Sequence, residues 1–273
     1  MMKFSVLLPL YEFDDVNHFN LCLTSILHNQ STLPNQIVIV KDGFIPLEII
    51  NLLNHFCKKY VNLIDIVGYE QNKGLGYALT YGIKYCKHEI VFRMDSDDIC
   101  SDHRFSTQLK YFKENNNLAI IGGDIEEFLN TPNDIGIFRK VPYTLSEINK
   151  VKFYRNPFNH MTVAFRKSIV LKTGGYLDMP GYEDYYLWLR ILSKGYDCLN
   201  LNQVLVHARV GNNMIGRRQG ISFFKKEFKF QKTILNDGLI DINHFIFNMI
   251  TRGLSRLLPV AILQIIYTKI LRN

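Results

Sequence analysis

The chain has 273 residues, of which 47% are apolar, 21% charged and 13% aromatic; this composition excludes disorder, collagen and coiled coil and favours one α/β domain, alone or with a helical appendage. Its five cysteines are odd in number and contain no Cys-x-x-Cys pair, so neither a disulfide framework nor a thiolate zinc site is indicated and a reducing cytoplasm is expected. The net charge of +7 comes from the end of the chain, because residues 217–273 hold ten Lys and Arg against three Asp and Glu.

Short β-rich runs alternate with helical patterns over the first 125 residues. The first run meets acidic residues almost at once, so it predicts a strand rather than a signal peptide, and no export is expected. Apolar residues three and four apart, as at Phe19, Leu23 and Ile26, predict crossover helices. The runs are apolar on both faces, as buried parallel strands are. The predicted strands cover residues 4–8, 36–40, 62–67, 89–94 and 118–123.

The second half of the chain is less regular. Four prolines and several Asn in residues 126–180 predict loops with short strands, and one helix is predicted at 183–194. After Gly220 the pattern is helical to the end. An apolar run at 257–267 has eleven residues, too few for a bilayer span of about 20, so it either lies in the membrane interface with its flanking basic groups at the headgroups or packs on the domain.

Three carboxylates, Asp95, Asp97 and Asp98, follow the fourth predicted strand. In an open α/β sheet, ligands bind beyond the carboxyl ends of the strands, and Asp95 and Asp97 are spaced to present oxygens to one point. Such a pair suits Mg²⁺ or Mn²⁺, whose remaining ligands are phosphate oxygens and water. The alternative is a solvated acidic turn, and the triplet alone leaves both interpretations open.

Two neighbouring strands end in residues suited to a nucleoside. Asp42 follows the second strand, where it either accepts hydrogen bonds from a base or ribose or serves as a turn residue. Pro9 and Tyr11 end the first strand and place an extended backbone and a ring at the same edge. These positions predict a nucleotide pocket at the carboxyl edge of the sheet.

The segment Asn72-Lys73-Gly74-Leu75-Gly76 opens a predicted helix. A dinucleotide fingerprint requires Gly or Ala where this chain has Leu79, and Lys73 lacks the spacing of a phosphate-binding P-loop lysine. Nicotinamide and P-loop sites are therefore excluded.

Further chemistry-bearing residues lie downstream. Glu183 and Asp184 start the predicted helix at 183–194, either as a functional pair or as acidic residues stabilised by the helix dipole. His160 stands in an Asn- and Pro-rich segment, where a structural role is the alternative. Arg217 and Arg218 form a pair able to hold a phosphate bidentately or to remain solvated.

Together these motifs resemble family 2 glycosyltransferases with the GT-A fold. The resemblance spans about 200 residues and implies an inverting transfer from a nucleotide sugar, usually a UDP-sugar, with Mn²⁺ or Mg²⁺ held by the Asp-x-Asp motif. The order of motifs that carries it is Pro9-x-Tyr11, Asp42-Gly43, Asn72-x-Gly74-x-Gly76-x-Ala78, Asp95-x-Asp97-Asp98 and Glu183-Asp184.

The resemblance also implies roles for single residues. Asp184 is the general base and Glu183 orients the acceptor; Asp42 contacts the uracil or ribose, and Asp97 is the principal metal carboxylate. His207 is a candidate third metal ligand, although Arg209 is the residue that alternatively aligns with that role. The expected nucleotide-sugar site comprises Pro9, Tyr11, Asp42, Asn72, Gly74, Asp95 and Ser96, the metal site Asp95, Asp97 and His207, and the acceptor and diphosphate site His160, Trp188, Arg209, Arg217 and Arg218.

The physical chemistry of glycosyl transfer agrees with these residues. Cleavage of the anomeric carbon–oxygen bond leaves a nucleoside diphosphate whose developing charge a metal ion neutralises. The attacking acceptor hydroxyl loses a proton, so a carboxylate on the opposite face is needed as general base.

The predicted architecture is a GT-A catalytic domain at 1–215 with a C-terminal helical, membrane-associating extension. Residues 1–125 form its nucleotide-sugar half, 126–215 its acceptor half, and 216–273 a basic amphipathic tail. The full-length pattern is similar to bacterial O-antigen and exopolysaccharide enzymes, several of which add galactose or glucose β-1,3 to N-acetylglucosamine on undecaprenyl diphosphate.

We therefore expect a cytoplasmic enzyme, peripheral on the inner face of the membrane, that moves one hexose from a UDP-sugar to a lipid-linked GlcNAc-diphosphate acceptor. The Gln-x-x-Arg-Trp motif of processive members is missing. No nucleic-acid motif occurs, and the basic charge is mixed with apolar residues that suit lipid, so a nucleic-acid partner is not expected. The alternatives are a sugar nucleotidyltransferase, which releases pyrophosphate, and an inactive sugar-nucleotide-binding module.

Overall fold

The structure is a computed structural model that describes residues 2–211 and 220–257. These residues form one mixed β-sheet with helices against it. The strands are β1 (Phe4–Leu10), β2 (Gln36–Asp42), β3 (Ile64–Tyr69), β4 (Ile90–Arg93), β5 (Ile99–Cys100), β6 (Leu118–Phe128), β7 (Ile137–Arg139), β8 (Ala164–Arg166) and β9 (Asp197–Arg209). The α-helices are α1 (Val16–Leu27), α2 (Leu47–Lys59), α3 (Leu75–Ile83), α4 (Arg104–Glu114), α5 (Leu145–Val151), α6 (Lys167–Lys172), α7 (Glu183–Ser193), α8 (Gly220–Asn236) and α9 (Ile242–Asn248).

The sheet has the order β3-β2-β1-β4-β8-β6-β9-β5, and β7 pairs with β6 beside this path. The strands β1 to β4 are parallel to their neighbours in this group, as their two-sided apolar pattern predicts. The strand β8 then pairs antiparallel with both β4 and β6. All four parallel strands therefore end at one edge, where a ligand site is expected.

Successive residues of the parallel strands enter two different cores. Val6 and Leu8 pack with α1, α2 and α4, whereas Leu7 packs with α3, α6 and α7. This alternation follows from the two-residue period of a strand, and it buries the sheet between two helical layers. On the face of the sheet that packs with α3, close packing depends on Gly82. A Cβ at this position would lie 2.4 Å from Val40 and 2.5 Å from Leu7.

The fifth predicted strand differs most from its expected bounds. The run at 118–123 continues to Phe128 as β6, and every residue of that strand is buried. The buried acids have partners that the sequence does not show: Asp124 accepts from the Val141 amide at 3.1 Å and the Tyr143 hydroxyl at 3.0 Å. The strand can therefore continue beyond its apolar part, because residues that are brought close by the fold donate hydrogen bonds to its buried acid.

The C-terminal helices pack on the rest of the chain. The ring of Tyr182 stacks on Phe230 of α8, with centroids 4.5 Å apart and planes 9° apart, and Ile234 and Ile240 join the same apolar cluster. The predicted helical extension is thus present as far as the structure describes it. Within the described residues, no helix has the length and apolar character needed to cross a membrane. Most of the apolar run at 257–267 lies outside the described residues.

Candidate functional site

A cavity of about 1040 Å³ opens beside the carboxyl end of β4. Arg93 and Asp95 line one part of it, and Glu183 and Asp184, at the start of α7, line another. The C-terminal helices also contribute to its wall, because Phe223 belongs to the lining. The fold therefore brings the first Asp of the acidic motif and the predicted base into one cleft.

Asp42 organises the turn that precedes α3. One carboxylate oxygen accepts the Lys73 amide at 2.7 Å, and the other accepts the Gly74 amide at 3.0 Å. Gly43 continues the chain at φ +87°, where a Cβ would lie 2.6 Å from the backbone nitrogen of Asn72, so this close approach requires glycine. Asp42 thus fixes the position of Asn72 and Gly74 at the sheet edge, and its contact with uracil or ribose stays a prediction.

The loop after β1 contains an acid that the sequence reasoning missed. Asp14 accepts the Tyr11 amide at 2.8 Å and, through its other oxygen, the Ser96 hydroxyl at 2.8 Å. Burial, with the nearby charges of Asp97 and Asp95, raises the pKa of Asp14 to about 6. The run of acids directly after the first strand is the sequence signal that could have indicated it. The bond to Ser96 joins the loop after β1 to the acidic motif, and the Tyr11 ring remains 40% exposed.

The acidic motif at residues 95–98 carries more negative charge than its neighbours balance. Asp95 forms an ion pair with the buried Arg93. Burial and the charge of Asp95 raise the pKa of Asp97 to about 6. Asp98 accepts the Arg209 amide at 2.9 Å, while its second oxygen is buried with no hydrogen-bond partner among the described residues, and burial raises its pKa strongly.

These properties fit a hard divalent cation, because carboxylate oxygens are its preferred ligands and its charge would relieve the repulsion at Asp97 and Asp98. No group of three His, Cys, Asp or Glu side chains in the described part of the chain is arranged to hold a metal ion by itself. A cation there would require oxygens from a bound ligand or water to complete its coordination.

The structure gives His207 and Arg209 different surroundings from those expected. His207 Nδ1 is paired with Glu126, so His207 does not form a three-ligand group with Asp95 and Asp97. The Arg209 guanidinium donates to the Asp97 carbonyl at 3.2 Å and lies over the Phe128 ring. Arg209 therefore supports the acidic motif, whereas the sequence placed it with the acceptor residues.

The predicted base, Asp184, is held by a neighbouring amide. Asn156 Nδ2 donates to the Asp184 carboxylate at 2.7 Å. The Asp184 side chain is 17% exposed. Burial raises the pKa of Asp184, and the hydrogen bond from Asn156 opposes this effect. His160 Nδ1 lies 4.0 Å from the same carboxylate, while its Nε2 contacts the Tyr176 hydroxyl at 3.1 Å. Because burial lowers the pKa of His160 well below its usual value, it is neutral at neutral pH.

Glu183 and Trp188 take different positions relative to the cleft. Glu183 lines it and accepts the Gly181 amide at 2.5 Å, and burial raises its pKa. Trp188 has no exposed surface and packs against the His160 ring at 5.9 Å between centroids. It therefore lies behind His160 in the core and does not line the cleft, although the sequence placed it with the acceptor residues.

The C-terminal helices reach the cleft through a buried carboxylate. Glu227 is fully buried and accepts the Tyr182 hydroxyl at 2.6 Å, and it pairs with Arg252 at 3.3 Å and Arg256 at 3.4 Å. Both arginines line the cavity. The expected diphosphate ligands Arg217 and Arg218 lie outside the described residues.

Comparisons with known proteins agree on one family. The model of the family described as Glycosyl transferase family 2 matches residues 5–174. The chain is 38% identical over 271 residues to UDP-Gal:alpha-D-GlcNAc-diphosphoundecaprenol beta-1,3-galactosyltransferase of Escherichia coli, covering 99% of this chain and 97% of the relative. It is 34% identical over 271 residues to the amylovoran biosynthesis glycosyltransferase AmsE of Erwinia amylovora, covering 97% and 98% respectively.

A solved structure supports the fold. S. aureus TarS 1-349 in complex with UDP-GlcNAc aligns with a TM-score of 0.65 and 18% identity, over 93% of this chain and 72% of that chain. The predicted GT-A fold is confirmed by this likeness, together with the sheet order described above.

Proposed function

Because the chain belongs to glycosyl transferase family 2, we propose that it transfers one hexose, galactose or glucose, from a UDP-sugar to a lipid-linked GlcNAc-diphosphate acceptor in surface polysaccharide synthesis. The observation that carries this proposal is that Asp184 and Asp95 line the same cleft. The relative named for transfer from UDP-Gal to a GlcNAc-diphospholipid supports the substrates, since it is similar over the whole chain.

In the proposed reaction the acceptor hydroxyl attacks the anomeric carbon while its proton passes to Asp184. Asn156 holds one oxygen of that carboxylate at 2.7 Å and keeps it oriented toward the cleft, and neutral His160 and Glu183 border the acceptor. General-base assistance of this kind contributes typically about 10²- to 10⁴-fold to the rate. Attack from the face opposite the departing UDP inverts the anomeric configuration.

On the donor side, Asp95 and Asp97 are the residues that would hold Mn²⁺ or Mg²⁺. When bound there, the cation supplies positive charge to the diphosphate that leaves with the nucleoside. Arg93 and Arg209 hold Asp95 and the Asp97 carbonyl in place. Asp42 fixes the turn that carries Asn72 and Gly74. We propose that this turn borders the uridine together with Pro9, Tyr11 and Ser96.

We further propose that the protein acts at the inner face of the membrane. Exposed apolar side chains recur along α9 and the turn that follows it, at Ile242, Ile246, Phe247 and Ile250, and the exposed face of α8 carries Lys225, Lys226, Lys229 and Lys232. An apolar face beside lysines is suited to anionic headgroups. If Ile246→Asp combined with Phe247→Asp leaves the partition into anionic vesicles unchanged, this docking face is wrong.

The function is tested by measuring UDP release with Mn²⁺, a panel of UDP-hexoses and a synthetic GlcNAc-diphospholipid. We expect release that depends on the acceptor and that both a chelator and Asp184→Asn abolish. Asp178→Asn is the matched control, because Asp178 is exposed and near in sequence to the base. Release of pyrophosphate would instead establish a nucleotidyltransferase, and UDP binding without turnover on any acceptor would indicate a binding module.

A further inference from the structure

The cleft carries a group of cationic side chains that the roles above leave unused. Arg139, Lys140 and Arg155, named here the basic rim, line the cavity and are exposed. Lys140 is close enough to Asp124 for its charge to lower the pKa of that carboxyl against the effect of burial. Three exposed cations that line one cavity favour an anionic ligand there.

The basic rim is attached to the segments that hold the predicted base. Arg155 immediately precedes Asn156, whose amide donates to Asp184 at 2.7 Å. The Arg139 carbonyl accepts from Asn159 at 3.2 Å, and Asn159 precedes His160. The rim therefore lies on the acceptor side of the cleft, separate from the acidic motif of the donor side.

Charge from the C-terminal helices adds to the same end of the cleft. Arg252 and Arg256 both line the cleft and pair with one buried carboxylate, Glu227. Arg252 also donates to the Tyr154 carbonyl at 3.1 Å, directly beside Arg155. On the donor side, in contrast, the charge of Arg93 is balanced by its ion pair with Asp95.

We propose that the basic rim binds the diphosphate of the acceptor, an inference that rests on the proposed transfer to a lipid-linked diphosphate. A diphosphate on the anomeric carbon of the acceptor sugar lies one ring away from the hydroxyl that Asp184 deprotonates. Each phosphorus of such a diester carries a negative charge, and Arg139 and Arg155 offer forked donors suited to phosphate oxygens. The diphosphate of the donor is the alternative source of the same chemistry.

Steady-state kinetics separate the two sources. In Arg155→Ala and in the double variant Arg139→Ala with Lys140→Ala, we expect the KM for the GlcNAc-diphospholipid to rise at least about tenfold, as lost contacts to charged groups predict. The KM for the UDP-sugar, and the kinetics with a phosphate-free alkyl N-acetylglucosaminide, are expected to stay within about twofold of wild type. Lys58→Ala, an exposed lysine on α2, is the matched control. A rise in the donor KM, or equal losses on both acceptors, would overturn the proposal.

A binding measurement keeps the test independent of turnover. Calorimetric titration with dodecyl diphosphate, which carries no sugar, is expected to give at least about fivefold weaker binding in Arg155→Ala than in wild type or Lys58→Ala. Equal binding in all three proteins would refute the rim as a diphosphate site. Weaker binding in Arg155→Ala, with no transfer to the GlcNAc-diphospholipid by wild type, would retain the site and reject the proposed acceptor.

Discussion

The two sides of the cleft differ in construction and in charge. The donor side stands on the ends of parallel strands, where Asp95 lines the cleft. Asp14, Asp97 and Asp98 belong to the same acidic region, and the pKa values of Asp14 and Asp97 are raised to about 6. The acceptor side is assembled from loops, the start of α7 and the C-terminal helices, and the basic rim, Arg252 and Arg256 line it. The two sides therefore suit the different ligands proposed for them: a cation with its nucleotide on one, and a diphosphate on the other.

The comparison predicts the largest loss at the base. Asp184→Asn is expected to lower kcat by about 10²- to 10⁴-fold, because an amide cannot accept the proton from the acceptor hydroxyl. Initial-rate measurements with saturating substrates check this, beside Asp178→Asn, which is expected to behave as wild type. Loss of less than about tenfold would place the base elsewhere.

The next largest effect is on stability and concerns the C-terminal helices. Glu227→Ala leaves Arg252 and Arg256 without their shared buried carboxylate, and removal of one partner of a buried pair costs about 3–5 kcal/mol. Denaturant unfolding followed by circular dichroism measures this loss. Lys229→Ala, an exposed residue of the same helix, is the control, for which a change within about 0.5 kcal/mol is expected. A similar small change in Glu227→Ala would mean that the helices are not joined to the acceptor side through this carboxylate.

On the donor side, removal of a charge is expected to change the stability by a smaller amount and in the opposite direction. The pKa of Asp97 is raised from 3.8 to about 6, so the folded state holds the proton more tightly than the unfolded chain. Its ionisation therefore reduces stability as pH rises through this range, by up to about 3 kcal/mol above pH 6.

Without added metal at pH 7.5, Asp97→Asn is accordingly expected to be more stable than wild type by about 1–3 kcal/mol. At pH 4 the difference is expected to disappear. Thermal unfolding at the two pH values measures it, and a variant less stable than wild type at pH 7.5 would contradict the excess of negative charge at the acidic motif.

The smallest effect concerns the orientation of the base. The hydrogen bond from Asn156 lowers the pKa of Asp184, so Asn156→Ala is expected to raise that pKa. The base is then protonated at higher pH, and the acidic limb of the kcat/KM profile moves to higher pH. Asn149→Ala, an exposed asparagine on α5, is expected to leave the profile unchanged; a parallel drop in rate at every pH in Asn156→Ala would indicate a structural role only.

The sequence indicates the donor side better than the acceptor side for a physical reason. Strand periodicity places Asp42 and residues 95–98 at one edge, and local patterns suffice for that inference. The partners that complete the site are distant: Ser96 meets Asp14 across 82 positions, and Tyr182 meets Glu227 across 45. Such contacts depend on the packing of whole elements, which periodicity does not report.

Two of the predicted site residues illustrate the same limit. The family resemblance puts Trp188 with the acceptor residues, yet the helix turns it into the core behind His160. His207 looks like a metal ligand by type, but its neighbour across the sheet is Glu126. Which face of an element meets the cleft is decided by tertiary packing rather than by residue type.

The division of the cleft is tested most directly by Mn²⁺-dependent UDP affinity, measured by calorimetry in wild type, Asp97→Asn and Asp184→Asn. We predict that Asp184→Asn binds UDP as wild type does, within about twofold, whereas Asp97→Asn loses the increase in affinity that Mn²⁺ gives to wild type. An equal loss of affinity in both variants, or unchanged metal-dependent affinity in Asp97→Asn, would contradict the division into a donor side at the acidic motif and an acceptor side at Asp184.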